Sequence, residues 1–299
     1  MLKSFSNQAG VVLLKLLAAL PYKLLVALGY GLGLTAAHIP GDRNRVVKIN
    51  LRLCFPKLSA AEIDALAKEH WRLLGRSLVE KSIVWCGSAK QLSNMIEVKS
   101  DVDLASKKPR ILVNMHFIGI EGSIILSALA KEKEWPRTSG FFQRMKNPFF
   151  NKRIIDWRNR FGGNSIDRQG NVKAIIREIR NGDFIIIAPD IDLGLRDSEF
   201  VPFFGIQTNT VTTISRLAKI TGADVCLMTT TLKADESGYL CEIRKPLKDF
   251  PSTDPKSDTA RLNQYFEAEI RLRPAEYYWV HKRFKNPPNS GLNPYSPSK

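Results

Sequence analysis

From Pro109 to Arg244 the chain alternates between short apolar runs and amphipathic segments. Three of the apolar runs are nearly uninterrupted, which is typical of strands buried on both faces. The predicted strands are Arg110–Met115, Ser139–Gln143, Phe184–Ala188, Val225–Thr231 and Leu240–Arg244. The predicted helices are Ile120–Lys131, Pro148–Phe161, Val172–Asn181, Val211–Thr221 and Asp258–Leu272. This alternation predicts an α/β fold, a mostly parallel mixed sheet flanked by helices and joined by right-handed crossovers.

A long helix is predicted before the sheet. Ser59 can cap its first turn, Glu62 follows three residues later as in a capping box, and Leu58 can pack on Ile63. Apolar residues continue at helical spacing to about Val84, where we expect the helix to end.

The first forty residues are the most apolar part of the chain. Lys15, Pro21 and Lys23 interrupt them, and the uninterrupted part, Leu24 to Ile39, is 16 residues long. A membrane-spanning helix needs about 20 residues. We expect this segment to lie at a membrane surface with its lysines reaching the headgroups, while a buried core helix and a short span stay open as alternatives. The predicted organisation is a membrane-associating segment (1–40), an α/β domain (41–286) and a flexible tail (287–299).

Charge is the unusual feature of the composition. Lys and Arg number 45 against 29 Asp and Glu, which gives a net charge of +16. Eleven basic and three acidic residues lie between Arg137 and Arg180, so this block carries half of the excess. Lys173, Arg177 and Arg180 recur at helical spacing and form one stripe, opposite an apolar face. Such a stripe suits an acidic or phosphorylated partner, although a solvated helix face is the simpler interpretation.

Cysteine and histidine give no sign of a metal site. Cys54, Cys86, Cys226 and Cys241 form no CxxC pair, and the four histidines form no HExxH pattern. We expect reduced thiols in a cytoplasmic setting, no metal and no cofactor.

His116 is the first candidate for chemistry. It follows a buried strand, and ligands of open α/β sheets bind beyond the carboxyl ends of strands. Glu121 lies five residues later, and the two side chains can meet only if the chain turns between them, which Gly119 makes easy. A carboxylate that binds one imidazole nitrogen leaves the other nitrogen free to act as a base. The alternative is an ordinary core histidine.

A second candidate follows the strand Phe184–Ala188. Asp190 and Asp192 are separated by one residue, so they could orient arginines, hold a metal or shape a turn. No GxSxG motif is present, and no cysteine lies in a recognisable nucleophile setting, which favours direct activation of a substrate hydroxyl.

Together these residues resemble the bacterial lipid A late acyltransferases of the lauroyl and myristoyl type. The resemblance covers nearly the whole chain, and the order and spacing of its motifs are specific. The motifs are Asn50-Leu-Arg-Leu-Cys-Phe-Pro, His116-x4-Glu121, Arg144-x-x-Asn147-Pro148, Pro189-Asp-x-Asp192-x-Gly194, Val201-Pro-Phe-Phe-Gly205 and Tyr278-Trp-Val-His-Lys-Arg283-Phe.

This resemblance implies a glycerol-phosphate-acyltransferase-like fold at the cytoplasmic face of the inner membrane. It implies acyl–acyl carrier protein as the co-substrate and the hydroxyl of a 3-hydroxyacyl chain on a phosphorylated lipid A precursor as the acceptor. His116 and Glu121 match the catalytic pair of the family. Arg144 and Arg168 match basic positions near the active site, and we expect them, with Asp190 and Asp192, to bind the oxyanion or the substrate.

Two other functions fit parts of the sequence. An acyltransferase acting on another membrane lipid, such as a glycolipid or an aminolipid, is the nearer alternative. A nucleic-acid-binding protein would fit the charge, but the chain lacks the motifs of such proteins and this function leaves the apolar N-terminus unexplained. We therefore expect the partners to be the carrier protein, the phosphorylated lipid and the inner membrane, and not nucleic acid.

Overall fold

The computed structural model describes residues 2–142, 144–167 and 172–296, with the backbone alone at residues 2–5, 120–123 and 290. Its strands are β1 (Ile96–Ser100), β2 (Arg110–Val113), β3 (Thr138–Phe142), β4 (Asn164–Asp167), β5 (Phe184–Ile187), β6 (Ser198–Phe203), β7 (Ile206–Val211), β8 (Asp224–Leu232) and β9 (Tyr239–Pro246). Its α-helices are α1 (Leu2–Ala19), α2 (Tyr22–His38), α3 (Asp42–Cys54), α4 (Ala60–Cys86), α5 (Ala89–Met95), α6 (Gly122–Glu132), α7 (Pro148–Asn159), α8 (Val172–Arg180), α9 (Thr213–Thr221) and α10 (Pro255–Leu272). Short 3-10 helices cover Ile118–Glu121, Pro274–Glu276 and Pro288–Ser290.

Seven strands form one sheet in the order β1-β9-β8-β2-β5-β3-β4. Only the β8–β9 pair is antiparallel within this sheet, because a direct turn joins these strands. Helices α3, α8, α9 and α10 contribute to the apolar core on one face, α5 and α6 contribute to the core on the other, and α4 contributes to both. The predicted α/β fold with a mostly parallel mixed sheet is confirmed.

Several predicted boundaries need correction around β6 and β7. These strands form a separate antiparallel hairpin, and Val211, predicted to begin a helix, ends β7 instead. Phe203 and Phe204, which lie at the turn of this hairpin, are both buried in the core, and the ring of Phe203 contacts those of Phe204 and Tyr277. The predicted elements did not include this hairpin, because Pro202 and Gly205 interrupt the apolar run that would indicate strands.

Helix α4 begins as predicted. Ser59 Oγ accepts a hydrogen bond from Glu62 N at 3.3 Å, and the Glu62 carboxylate accepts one from Ser59 N at 2.7 Å, so the capping box is present. Such caps contribute about 1 kcal/mol each. The helix continues to Cys86, two residues past the predicted end.

Helix α2 packs against α4 at very short range through glycines. A Cβ atom on Gly33 would lie 2.1 Å from Trp71 O, and one on Gly75 would lie 2.3 Å from Gly29 O. Only glycine at these crossings lets the two backbones approach so closely. The N-terminal segment is therefore built onto the rest of the chain through α4.

The outer faces of α1 and α2 are apolar and exposed. Their exposed side chains include Val12, Leu13, Leu16, Leu24, Leu28 and Leu32. Within the described residues, no helix alone has the length and apolarity of a membrane span, and α2 and α3 meet that test only as a pair bent by 88°. Membrane association of this segment stays a prediction.

A buried cluster of charges and phenols, which we call the Arg76 cluster, ties α2 to α4 and to the β8–β9 turn. Arg76 Nε donates to Glu80 Oε1 at 2.9 Å, and its other nitrogens donate to the hydroxyls of Tyr30 and Tyr22 and to Glu236 O. Tyr22 donates to Glu80 Oε1 at 2.7 Å, and Tyr239 donates to the other oxygen of the same carboxylate. The side chains of Arg76 and Glu80 are 0% and 3% exposed. Burial and the negative charge of Glu80 raise the pKa of Tyr22 and Tyr239.

The C-terminal tail departs from its prediction at Tyr295. This residue lies within the segment 287–299 that was predicted as flexible, yet its ring is buried in the core. Its hydroxyl accepts a hydrogen bond from Phe284 N at 3.1 Å and also contacts the amide oxygen of Asn50. The tail is therefore anchored at this point by a phenol that its polar composition did not reveal.

Candidate active site

The carboxyl ends of β2, β5, β3 and β4 lie side by side and form what we call the carboxyl edge of the sheet. Strands β2 and β5 pair in parallel, with Val113 opposite Ile187. His116 follows β2 and Asp190 follows β5, each three residues beyond this pair. Strand order thus brings together two residues that are 74 positions apart in the sequence.

The carboxylate of Asp190 holds His116 at two points. His116 Nδ1 lies 2.7 Å from Asp190 Oδ1, and His116 N donates to Asp190 Oδ2 at 2.8 Å. Asp190 is fully buried, whereas the side chain of His116 remains 23% exposed. Both carboxylate oxygens therefore serve the histidine, and the imidazole keeps one open side.

This contact determines the tautomer of the neutral imidazole. A carboxylate only accepts hydrogen bonds, so Nδ1 carries the proton and Nε2 of the neutral ring carries a lone pair. Burial raises the pKa of Asp190, but the charge of protonated His116 and the hydrogen bonds from its ring and backbone outweigh burial and lower it. Asp190 therefore stays ionised and can stabilise an imidazolium ion beside it.

Tyr277 and Tyr278 form a wall beside this pair. Tyr278 N donates to His116 O at 2.8 Å, and the ring of Tyr278 lies 6.3 Å from the imidazole, centroid to centroid. Tyr277 Oη donates to Asp190 O at 3.2 Å. The C-terminal residues thus contact both sides of the pair.

A second histidine, His281, lies in the same segment. Burial and the charges of Lys285 and His116 lower its pKa to about 4, so it is neutral at physiological pH. Its Nε2 atom is buried and has no hydrogen-bond partner within the described structure.

Asp192 is enclosed by protein donors. Its side chain accepts hydrogen bonds from Gly194 N at 2.9 Å, from Asn209 Nδ2 at 3.0 Å and from Asn286 Nδ2 at 3.0 Å. The residue is 1% exposed. The prediction that Asp190 and Asp192 bind substrate or an oxyanion finds no support in this geometry, because both carboxylates are buried and bind groups of the protein.

Arg144 lies beyond the end of β3, two strands from His116 in the sheet. Its guanidinium pairs with Asp167 at the end of β4, and its side chain is 71% exposed. Because the side chain is exposed, a ligand at the carboxyl edge can contact it.

Arg168 lies outside the described residues. The backbone of Glu121 ends the 3-10 helix Ile118–Glu121, but its side chain also lies outside the described part, so its predicted contact with His116 stays a prediction.

The basic stripe on α8 extends away from this edge. Lys173, Arg177 and Arg180 are exposed along the helix, and about 10 Å separates the first from the last. Arg180 Nη2 donates to Ile220 O, close to the start of β8 at the opposite edge of the sheet. The structure therefore does not bring the whole stripe to His116.

Metal binding receives no support from the described part of the chain. No group of three or more His, Cys, Asp or Glu side chains there is arranged to hold an ion. The Asp190-x-Asp192 spacing instead serves His116 through one carboxylate and loop anchoring through the other.

Sequence reasoning missed the partners that build this site. Asn209 and Asn286 gave no signal, because a single asparagine in a strand or a polar tail has no distinctive pattern. The contact between His116 and Asp190 had a signal, since both residues follow buried strands. Recognising it required the order of those strands in the sheet, which the sequence pattern did not supply.

The chain is similar to proteins of known families over most of its length. The family model described as bacterial lipid A biosynthesis acyltransferase matches residues 1–286. The lipid A biosynthesis lauroyltransferase of Escherichia coli (strain K12) is 31% identical over 290 residues, covering 93% of this chain and 91% of the relative. The palmitoleoyltransferase of the same organism is 30% identical, covering 93% and 90%, and the myristoyltransferase is 25% identical, covering 96% and 88%. These relatives are named for three different acyl chains.

Proposed function

Because the chain belongs to the bacterial lipid A biosynthesis acyltransferase family, we propose that it moves a fatty acyl group from acyl–acyl carrier protein to a lipid A precursor. The acceptor is the hydroxyl of a 3-hydroxyacyl chain on that precursor. The contact between His116 and Asp190 carries the proposal, because it orients the imidazole through Nδ1 while the side chain of His116 stays 23% exposed.

In this mechanism His116 Nε2 takes the proton of the acceptor hydroxyl as its oxygen attacks the thioester carbonyl. The new C–O ester bond forms, the C–S bond breaks, and the carrier thiol leaves with the proton that the imidazolium returns. Asp190 acts as the positioning residue, since it holds the tautomer and balances the charge on the imidazolium. General-base assistance of this kind contributes about 10²–10⁴ in rate.

The oxyanion that develops on the thioester carbonyl needs a hydrogen-bond donor. Arg144 is our candidate, because its side chain is exposed at the carboxyl edge; a backbone N–H near the start of α6 is the alternative. One such donor contributes about 3–4 kcal/mol. We keep Glu121 as a further member of the catalytic group and Arg168 as a further binding residue, on the strength of their matching motif positions.

The co-substrates suggest where the remaining surfaces act. The carrier protein is acidic and the acceptor is phosphorylated, so Lys173, Arg177 and Arg180 on α8 suit either as an anion-binding stripe. The exposed apolar side chains of α1 and α2 suit docking at the cytoplasmic face of the inner membrane, with Lys15 and Lys23 near the headgroups. No cofactor is needed for the proposed acyl transfer.

The test is acyl transfer by purified protein from lauroyl, myristoyl and palmitoleoyl carrier protein to a lipid A precursor, followed by mass spectrometry. We expect His116→Ala and Asp190→Asn to lower kcat by about 10²–10⁴-fold while the protein stays folded. His38→Ala, which changes an exposed histidine of α2, is the matched control and should keep full activity.

Near-normal turnover by a folded His116→Ala protein would contradict the mechanism. If the wild-type protein acylates a glycolipid or an aminolipid but not the lipid A precursor, the acceptor assignment is wrong and the acyltransferase assignment stands. Mass spectrometry of lipid A from cells with and without this protein gives the same answer in vivo.

A further inference from the structure

The loop that presents Asp190 has no regular structure of its own. Residues 188–197 form neither helix nor strand, and they connect β5 to β6. Both oxygens of the Asp190 carboxylate are used by His116, at 2.7 and 2.8 Å. The position of that carboxylate therefore depends on whatever holds the loop.

Asp192 is one of the points at which the loop is held. Asn209 of β7 donates to Oδ1 of Asp192 at 3.0 Å, and Asn286 Nδ2 lies 3.0 Å from both carboxylate oxygens. Lys285 Nζ donates to the backbone carbonyl of Asp192 at 3.1 Å. Two neighbouring residues of the C-terminal segment thus bind one residue of the loop.

The same segment also holds the histidine. We call residues 277–286 the C-terminal strap; Tyr278 N donates to His116 O at 2.8 Å, and Tyr277 Oη donates to Asp190 O at 3.2 Å. Asn50 of α3 fixes the strap through its Nδ2 atom, which donates to Trp279 O at 2.6 Å and His281 O at 2.8 Å. One strap therefore joins the His116 loop, the Asp190 loop and helix α3.

From these contacts we propose that Asn286 is a positioning residue for acyl transfer. Its amide fixes Asp192, two residues from Asp190, and so holds the Asp190 carboxylate within hydrogen-bonding distance of His116 Nδ1. The proposal rests on the proposed role of His116 as the base. It adds that the correct distance is set from outside the loop, by the far end of the strap.

Loss of this amide should let the loop relax without unfolding the core. In Asn286→Leu, Asp192 keeps Gly194 N and Asn209, but it loses the donor that spans both of its oxygens. A misplacement of about 1 Å at a reacting group can cost about 10²-fold in rate. Binding surfaces for the donor and the acceptor are unchanged, so KM should hardly move.

The experiment compares Asn286→Leu, Asn286→Gln and wild type in two measurements. The first is kcat and KM with the best acyl–acyl carrier protein donor. The second is the downfield proton resonance of His116 Nδ1–H, assigned by its loss in His116→Gln. Asn94→Leu, which changes an exposed asparagine of α5, is the matched control.

We expect Asn286→Leu to lower kcat by about 10²-fold, with KM within about threefold, and to shift or broaden the His116 resonance. Asn286→Gln should recover part of the kcat and part of the wild-type His116 resonance, because it keeps the amide donor. The control should match wild type in both measurements.

Unchanged kcat and an unchanged resonance in folded Asn286→Leu would overturn the proposal, as would a loss of stability with a normal resonance. If Asn286→Leu does not fold, Asn286→Gln decides on the same two criteria. If wild type shows no acyl transfer, the proposed function fails, and the resonance alone decides whether Asn286 positions the pair.

Discussion

The Arg76 cluster and the His116–Asp190 pair are both enclosed polar groups beside the same sheet, but they differ in what remains unpaired. In the Arg76 cluster, the guanidinium of Arg76 and both oxygens of Glu80 have partners, and both side chains are buried. At the carboxyl edge, Asp190 is just as buried, yet the His116 side chain is 23% exposed, and no hydrogen bond joins its Nε2 atom to another group within the described part of the chain.

This difference distinguishes a group that stabilises the fold from a group that can act on a substrate. A buried group whose donors and acceptors are all satisfied can hold elements together, but it has nothing left to offer a substrate. A base must keep one lone pair unused, so it has to be oriented from one side and open on the other. Burial and charge alone would have ranked the Arg76 cluster above His116 as a functional site.

Breaking the Arg76 cluster should give the largest change in stability. Arg76→Met leaves the Glu80 carboxylate buried without its cation, and removal of one partner of such a pair costs about 3–5 kcal/mol. We expect the apparent Tm to fall by on the order of 10 °C, measured by thermal unfolding. The kcat of the remaining folded protein should stay within about threefold of wild type.

Lys48→Met is the matched control, because Lys48 of α3 pairs with Asp64 of α4 at 2.8 Å and the two side chains are 41% and 56% exposed. Exposed pairs contribute about 0–1 kcal/mol, so its Tm should hardly change. A large loss of kcat in folded Arg76→Met would contradict the view that the Arg76 cluster is structural and the His116–Asp190 pair is catalytic.

His70 on α4 extends the comparison through pH: it is buried, and its Nε2 atom has no hydrogen-bond partner within the described residues. His70 is fully buried, its Nδ1 atom contacts Ala275 O at 3.1 Å, and burial lowers its pKa to about 4. In the unfolded chain its pKa returns to about 6.5, so the unfolded state binds the proton first. The free energy of unfolding should therefore be highest above pH 6.5 and fall as pH drops towards 4, by about 3 kcal/mol from this residue.

His70→Gln should remove that part of the acid sensitivity, since glutamine does not titrate. The measurement is the free energy of unfolding by denaturant at several pH values between 4 and 7. His38→Gln, at an exposed position of α2, should leave the slope unchanged. Equal slopes for wild type and His70→Gln would mean that burial does not hold this imidazole neutral.

The smallest effect is expected on the exposed face of α8, away from both the Arg76 cluster and the His116–Asp190 pair. Reversing Lys173, Arg177 and Arg180 to Glu should raise KM for acyl–acyl carrier protein by about tenfold at low salt and weaken its salt dependence, with kcat unchanged. Reversal of Arg244, Lys245 and Lys248, exposed residues with the same change in net charge, is the control. Identical kinetics for both triple variants would contradict the prediction that the stripe binds the carrier protein.

Local order was the part of the fold that the sequence pattern predicted well. The five predicted strands and the capping box of α4 lie where the periodicity and the cap residues put them, within one to two residues. These features depend on side chains a few positions apart, so a short window of sequence is enough to predict them. The motif order likewise pointed to the family and to His116 as its candidate base.

The tertiary structure decided which partners each candidate meets. Asp190 lies 74 positions from His116 and reaches it only because β5 pairs with β2. Arg76 and Glu80 have the spacing of an ordinary surface pair on a helix, and they are buried only because α2 and β9 cover them. Contacts of this kind depend on the free energy of packing the whole chain, and no local window of the sequence contains that quantity.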